Sequence, residues 1–380
     1  MRIGIVTLWQ SADNYGQLLQ CWALQYYLRS KGHDVFLIKY DMQNNIPFKY
    51  KIFKCLKIIL VLPLFIKKKY FFNKNVRELA DKNKNRRFDD FRSRFISQSE
   101  RTYKSLKDLQ QKPPKAEAYI VGSDQVWAQL LNNKDNEVYF LNFGEPHVKR
   151  ISYAASFAMS NYPAFLLQKL KKNLERFDSI SVREKDGIDI CNSVGKISSI
   201  VLDPTLLLQD FSYRAIASSR KHSGKYIYIY SINIKNPDEL NFSKISHYAR
   251  LNNYHIVVTP ATGYIPGLEI YDDVEYDYAS IPEWLSNLDN SQFVVTTSFH
   301  GVVFSLILHK KFMYVPLKGE YSSGNNRVLS LLTMLDLSNL CFESETDFER
   351  ILSFEMNWHK IDLCLHEMKS ISIEFINQNL

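Results

Sequence analysis

The feature that most constrains this chain is a repeated alternation of short apolar runs with amphipathic stretches, interrupted once near its middle. Ile3, Ile5 and Val6 begin a buried run, SADNYGQ supplies turn chemistry, Leu18 to Leu28 is helical, and Val35 to Ile38 is the next strand. Apolar runs return at Ala118 to Gly122, Ile151 to Ala154, Ser179 to Val182 and Ile197 to Leu202, with helical stretches at Pro163 to Phe177 and Lys185 to Asn192. Strands alternating with helices predict a parallel sheet. A second series starts after Asp203-Pro204. Its strands are Tyr226 to Tyr230, Ile256 to Thr259, Phe293 to Thr297 and Phe312 to Val315; its helices are Ile281 to Leu288, His300 to Leu308 and Arg327 to Leu335. The pattern predicts an α/β chain of two Rossmann-like domains, residues 1–203 and 204–344, facing across a cleft that takes ligand at the carboxyl ends of the strands. Residues 345–380 read as a helical tail that packs back on the first domain.

Composition narrows the class further. With 46% hydrophobic and 23% charged residues the chain is globular, not disordered or collagen-like. The five cysteines (Cys21, Cys55, Cys191, Cys341, Cys364) are scattered and odd in number, and no C-x-x-C or H-E-x-x-H occurs. No metal site or disulfide framework is expected, and a reducing compartment is the default. The N-terminus lacks the apolar run of a secretory signal, so a cytoplasmic location is expected.

The net charge of +8 is concentrated. Residues 42–77 contain nine Lys and Arg and no acid, while the rest of the chain has 39 basic against 40 acidic residues. A nucleic-acid binder carries its basic footprint differently, and none is expected as partner. Within this insertion Ile58 to Ile66 is an apolar run of nine residues between lysines. That is far short of the roughly 20 residues that span a bilayer. The segment from Lys49 to Lys74 is therefore expected to lie on an anionic membrane surface, with an attraction that falls as salt rises. The plain alternative is a core helix with a solvated basic face.

Five motifs sit where strands end. Asn14, Tyr15, Gly16, Gln17 and Gln20 open the first long helix; backbone N–H groups there can meet an anion or a sugar hydroxyl, or Asp13 or Asn14 simply caps the helix. In GSDQVW, Ser123 and Asp124 follow a strand and Trp127 offers a face for a pyranose; the alternative is Asp124 as a cap and Trp127 in the core. Arg183 in SVREKDG can grip a carboxylate or phosphate, or form a surface pair with Glu184. In TTSFHG, Ser298 ends a strand and His300 begins an apolar helix, where a His can hold a phosphate or move a proton. Lys318 and Arg327 follow, and with His300 they form a candidate cationic pocket.

In this order the motifs NYGQLLQCWALQ, YIVGSDQVW, ISYAASFA, SVREKDG, VLDPTLLL, VVTTSFHGVVFSLI and NNRVLSLL resemble the polysaccharide pyruvyl transferase family over roughly residues 2–335. The resemblance implies a GT-B-like fold, phosphoenolpyruvate as donor, and a hexose of a surface polysaccharide, carried on a membrane lipid, as acceptor. The product would be a cyclic ketal, with phosphate released and no cofactor needed. His300 matches the family's SFHG histidine and Arg183 its SVRE arginine; Lys318 and Arg327 match downstream basic positions. The expected division of labour puts Arg183, Ser298, His300, Lys318 and Arg327 on the donor. Asn14, Tyr15, Gly16, Gln17, Gln20, Ser123, Asp124 and Trp127 take the acceptor, with His300 and Asp124 catalytic. The rival readings are a glycosyltransferase using a nucleotide-sugar on the same fold, and a non-catalytic binding protein at the membrane.

Overall fold

A computed structural model of the chain describes residues 1–41, 81–261, 269–344 and 346–380. The basic segment expected to meet a membrane lies outside the described residues. Eleven strands are described: β1 (Arg2–Val6), β2 (Asp34–Leu37), β3 (Ala118–Val121), β4 (Lys149–Ala155), β5 (Ser179–Val182), β6 (Ser199–Ile200), β7 (Tyr226–Ser231), β8 (His255–Pro260), β9 (Glu275–Tyr276), β10 (Phe293–Thr296) and β11 (Phe312–Tyr314). They form two sheets, ordered β2-β1-β3-β4-β5-β6 and β11-β10-β7-β8-β9, with every pairing parallel. The sequences explain this. AYIV, YIYIYS and FVVT are buried at every position, as strands covered on both faces must be.

The strand order locates the ligand site. In the first sheet the order reverses between β1 and β3; in the second it reverses between β7 and β10. At such a reversal the flanking loops leave in opposite directions and open a crevice beyond the carboxyl ends of the strands. The loops after β1, β3, β7 and β10 all reach one cleft.

The two halves share one apolar core, joined through the Tyr15–Ser30 helix. Tyr15 stacks on Trp284 with ring centroids 5.1 Å apart and an interplanar angle of 10°, and its hydroxyl donates to the Ala279 carbonyl at 2.6 Å. Arg86, fully buried, donates to the same hydroxyl at 2.5 Å and to the Pro260 carbonyl. Tyr15 therefore serves the seam between the halves and is not open to a sugar. The tail also bridges them. At the start of the Trp358–Asn379 helix, Trp358 stacks on His309 of the second half, with centroids 4.7 Å apart. Only its last turns reach the first sheet, where Ser372 accepts from the Leu202 N–H and Phe375 packs near Tyr153. Among the described residues, no helix is long and apolar enough to cross a membrane.

The expectation that Trp127 stacks on a sugar is corrected here. Trp127 is fully buried, lies flat on Phe140 and contacts Phe157, and its indole N–H donates to the Tyr139 carbonyl at 2.8 Å. The Val126–Ala128 turn directs it down into the core beside β4, away from the cleft. Trp127→Ala should cost about 3–5 kcal/mol of stability. Denaturant unfolding checks this, and a loss below about 1 kcal/mol would mean the ring is not the core element described.

Candidate functional site

The cleft between the halves has a volume of about 580 Å³. Asn14 and Gln17 line it from the loop after β1, and Asp124 and Gln125 from the turn after β3. Ser298, Phe299 and His300 line it from the start of the Phe299–Ile307 helix, and Arg327 from the Asn326–Met334 helix. The candidates from both halves therefore do face one space.

Close approach explains the glycines. A Cβ on Gly16 would lie 1.9 Å from Cγ and Nδ1 of His300, so the two helix starts meet only because position 16 has no side chain. A Cβ on Gly301 would lie 2.1 Å from Oγ1 of Thr296. That contact seats the His300 helix tightly over the end of β10.

Asn14 caps its helix, accepting from the Gln17 N–H at 3.2 Å, and lines the cleft as well. Gln17 accepts from the Ser11 N–H at 3.0 Å, and its amide nitrogen lies 3.4 Å from Oδ2 of Asp124. Gln20 is corrected: it is fully buried, donates to Thr7 and accepts from the Ser123 N–H at 3.1 Å. It ties β1 to the turn after β3 and leaves nothing for a ligand. Ser123 is likewise buried, donating to the Ala154 carbonyl and to Asp203. Asp124 is not a helix cap. It takes φ of 73°, and its backbone carbonyl accepts from Val126 and Ser156. Its carboxylate lines the cleft, held between Gln17 on Oδ2 and Arg183 near Oδ1.

Arg183 is also corrected. Together with Glu184 it is buried, so neither is a surface feature. It lines a smaller, apolar cavity of about 210 Å³ that shares Phe299 and Arg327 with the cleft. Its Nη1 donates to Asp203 Oδ2 at 2.8 Å, while Nη2 lies 3.7 Å from Asp124 and Nε 3.9 Å from Glu184. Burial works against this charge, but Asp203, Asp124 and Glu184 outweigh it and raise the Arg183 pKa. Burial pushes the Glu184 carboxyl up, against the pull of Arg183.

Lys318 is corrected for a different reason. The edge strand β11 ends at Tyr314, and the Asn325 side chain bonds both the N–H and the carbonyl of Leu317, at 2.9 and 2.8 Å. That turns Leu317 into the cleft wall and leaves Lys318, one residue on, exposed to solvent.

Arg327 does reach the cleft. Its guanidinium sits 5.7 Å from the Phe299 ring centroid, and that of Arg183 sits 4.5 Å from it. The aromatic ring thus holds two cations that would otherwise repel. Burial, and then the charge of Arg183, pull the Arg327 pKa down to about 10, which leaves it charged at neutral pH. With its oxygen turned toward Arg327, the Gln125 amide accepts from both terminal nitrogens, at 2.5 and 2.9 Å.

Sequence reasoning missed Asp203 as a site residue. It is fully buried and accepts from Ser123, Arg183, and both the N–H and the hydroxyl of Thr205. Its Oδ2 lies 3.8 Å from His300 Nε2. That is too long for a hydrogen bond, and Nε2 is a buried nitrogen with no hydrogen-bond partner. The available signal is the Asp203-Pro204 pair within VLDPTLLL, just after a strand and at the joint between the two series. Among the described residues, no three His, Cys, Asp or Glu are grouped to hold a metal ion, and Cys21, Cys191, Cys341 and Cys364 are free thiols.

Comparison with solved structures agrees with this geometry. A UDP-N-acetylglucosamine 2-epimerase from Rickettsia bellii superposes with a TM-score of 0.52 at 10% identity, covering 100% of this chain and 96% of that one. S. aureus MnaA, in a co-structure with UDP, gives 0.50 at 12% identity, covering 95% and 90%. The protein therefore has a GT-B-like fold, two parallel α/β halves about a cleft with a C-terminal helix. A search of curated protein sequences finds no match. The family model for polysaccharide pyruvyl transferase matches residues 14–318, most of the chain, and the protein belongs to that family. The match begins at the Asn14 cap and ends at Lys318, so Arg327 and the NNRVLSLL helix lie beyond it.

The buried carboxylate of Asp203 should show in acid. Burial would raise its pKa, but the His300 and Arg183 charges and the Thr205 bonds prevail and hold it well below the usual carboxylate range. A depressed folded-state pKa gives stability that is complete above the unfolded value of about 3.9 and is lost progressively as pH falls from there through the folded value. Asp203→Asn should therefore be less stable than the native chain by about 3 kcal/mol near pH 6. The gap should narrow below about pH 4. Unfolding curves between pH 3 and 6 check this; a gap that does not change with pH contradicts it.

Proposed function

We propose that this pyruvyl transferase takes its pyruvate from phosphoenolpyruvate and places it on a hexose of a lipid-linked polysaccharide precursor as a cyclic ketal. The observation that carries this reading is that Arg327 and His300 of the second half and Asp124 of the first line one cleft. The donor's phosphate and carboxylate need cationic or N–H partners. Arg327 and the first-turn N–H groups of the Phe299–Ile307 helix offer them.

The chemistry balances without an outside oxidant or reductant. A proton adds to C3 of the enol and leaves positive charge at C2. One sugar hydroxyl adds to C2 and gives up its proton. The C2–O bond to phosphate breaks, and a second hydroxyl closes the ring and gives up its proton. One of the two protons released replaces that taken up at C3; the other leaves with phosphate. In this reading His300 donates at C3 or to the departing phosphate, and Asp124 accepts from a hydroxyl. Arg183, behind Phe299, holds Asp203 and does not grip the donor; Ser298 lines the donor side. On the acceptor side the contacts fall to Asn14, Gln17 and Asp124. The basic segment from Lys49 to Lys74 would hold the enzyme at the inner membrane face, where such a lipid-linked acceptor resides.

Phosphate release from phosphoenolpyruvate, with lipid-linked oligosaccharides offered as acceptors and products weighed by mass spectrometry, tests the reading. His300→Ala should lower turnover about 10²-fold or more. Arg327→Lys should raise the donor KM before the acceptor KM, because Lys lacks the planar two-bond contact. Release of a nucleoside diphosphate from a nucleotide-sugar would overturn the assignment.

A further inference from the structure

We propose that Asp203 is the positioning residue for His300, supplied by the opposite half of the molecule, and that it holds the Nε2 proton so that Nδ1 serves the substrate. The inference rests on His300 being the acid of the proposed reaction.

Three observations on different elements support it. First, His300 Nε2 points inward: it is a buried nitrogen without a hydrogen-bond partner, and Asp203 Oδ2 lies 3.8 Å from it. Leaving such a group unbonded costs about 1–3 kcal/mol, so a carboxylate oxygen only about 1 Å too far away is its natural acceptor. Second, the Nδ1 edge lies over Gly16, at the cleft end of the Tyr15–Ser30 helix. Third, Asp203 is itself fixed. Its Oδ1 accepts from the Thr205 N–H at 3.0 Å and the Thr205 hydroxyl at 2.7 Å; its Oδ2 accepts from Ser123 at 2.9 Å and from Arg183 at 2.8 Å. Four donors converge on one carboxylate, which is therefore charged and unable to swing away.

The two partners also come from different sheets. Asp203 follows β6 of the first sheet, and His300 follows β10 of the second. A closing motion of about 1 Å around a bound donor would bring the pair to hydrogen-bond distance. The acid would then be oriented only in the closed, loaded cleft. It would also stabilise the imidazolium there, since Asp203 offers a negative charge next to it. The other charged groups nearby include Arg183, on Asp203, Arg327, across Phe299, and Asp13 and Asp124, which line the same cleft. Among them, Asp203 is the carboxylate that faces Nε2.

Two measurements on the full chain test this. Nitrogen-15 spectra of histidine-labelled protein, with the His300 signal assigned through His300→Gln, report the tautomer of the native enzyme directly. The neutral ring should carry its proton on Nε2 when inorganic phosphate is present; a major Nδ1–H form overturns the proposal, whatever the substrate proves to be. Kinetically, Asp203→Asn should lower kcat roughly 10²-fold or more and leave the donor KM within about threefold. In a His300→Ala background the same change should cost less than about twofold, because residues that act through one another are not additive. Equal losses in the two backgrounds would show that Asp203 acts on the fold alone. If the native enzyme releases no phosphate from phosphoenolpyruvate, the proposed reaction fails and the tautomer still decides the role of Asp203. The tautomer likewise decides it if Asp203→Asn does not fold.

Discussion

The site depends on a contact that excludes a single methyl group. The Tyr15–Ser30 helix and the Phe299–Ile307 helix begin within touching distance of each other, one from each half, and Gly16 under the His300 ring is what permits it. The rest of the arrangement follows from that approach. Tyr15, one residue earlier, enters the seam and stacks on Trp284. Asn14, two residues earlier, is left at the cleft as cap and lining. On the other side, His300 is set against Asp203, and Phe299 is set between Arg183 and Arg327. A turn of the same length with any side chain at position 16 would have to hold the helices apart and would dissolve the acidic and basic cluster behind them.

Charge in this cluster is nearly self-compensating, and that shapes what the cleft can do. Arg183 is spent on Asp203, with Asp124 and Glu184 close by. Arg327, held by Gln125 and Phe299, is the guanidinium that lines the cleft. The reaction proposed above, which binds an anion and releases phosphate, would gain from such restraint, because binding donor and product equally tightly adds nothing to turnover. The cavity behind Phe299 is largely apolar, and Ile200 and Ile371 in its lining are exposed.

Much of the fold was legible because parallel sheets write themselves plainly. Fully buried strands read as apolar runs, and the Asp203-Pro204 pair marks the change from one sheet to the other. The strand-end rule then found Asp124, Ser298, His300 and Arg327, all of which line the cleft. What the rule cannot tell is the direction a side chain takes once the strand has ended. Trp127 and Arg183 leave strand ends as Asp124 does, but a 3-10 turn carries one into the core and Asp203 draws the other behind Phe299. Lys318 fails for a local reason, the Asn325 clamp on Leu317, which involves a contact eight residues away. Asp203 escaped notice because its bonds come from Ser123, Arg183 and Thr205 and its approach to His300 from the other sheet, and no spacing in the sequence records that. The helix Phe242–Leu251 and the short β9 were also missed; both complete the second sheet's far side and neither reaches the cleft.

The central claim is that donor binds on the second half of the cleft, at the start of the Phe299–Ile307 helix. A crystal structure with phosphoenolpyruvate soaked into the protein tests it most directly. The account predicts phosphate and carboxylate oxygens within about 3 Å of Arg327 and the first-turn N–H groups, with His300 in contact and Asp203 drawn to hydrogen-bond distance from it. Density for the donor against Asn14, Gln17 and Asp124, with Arg327 untouched, would contradict it.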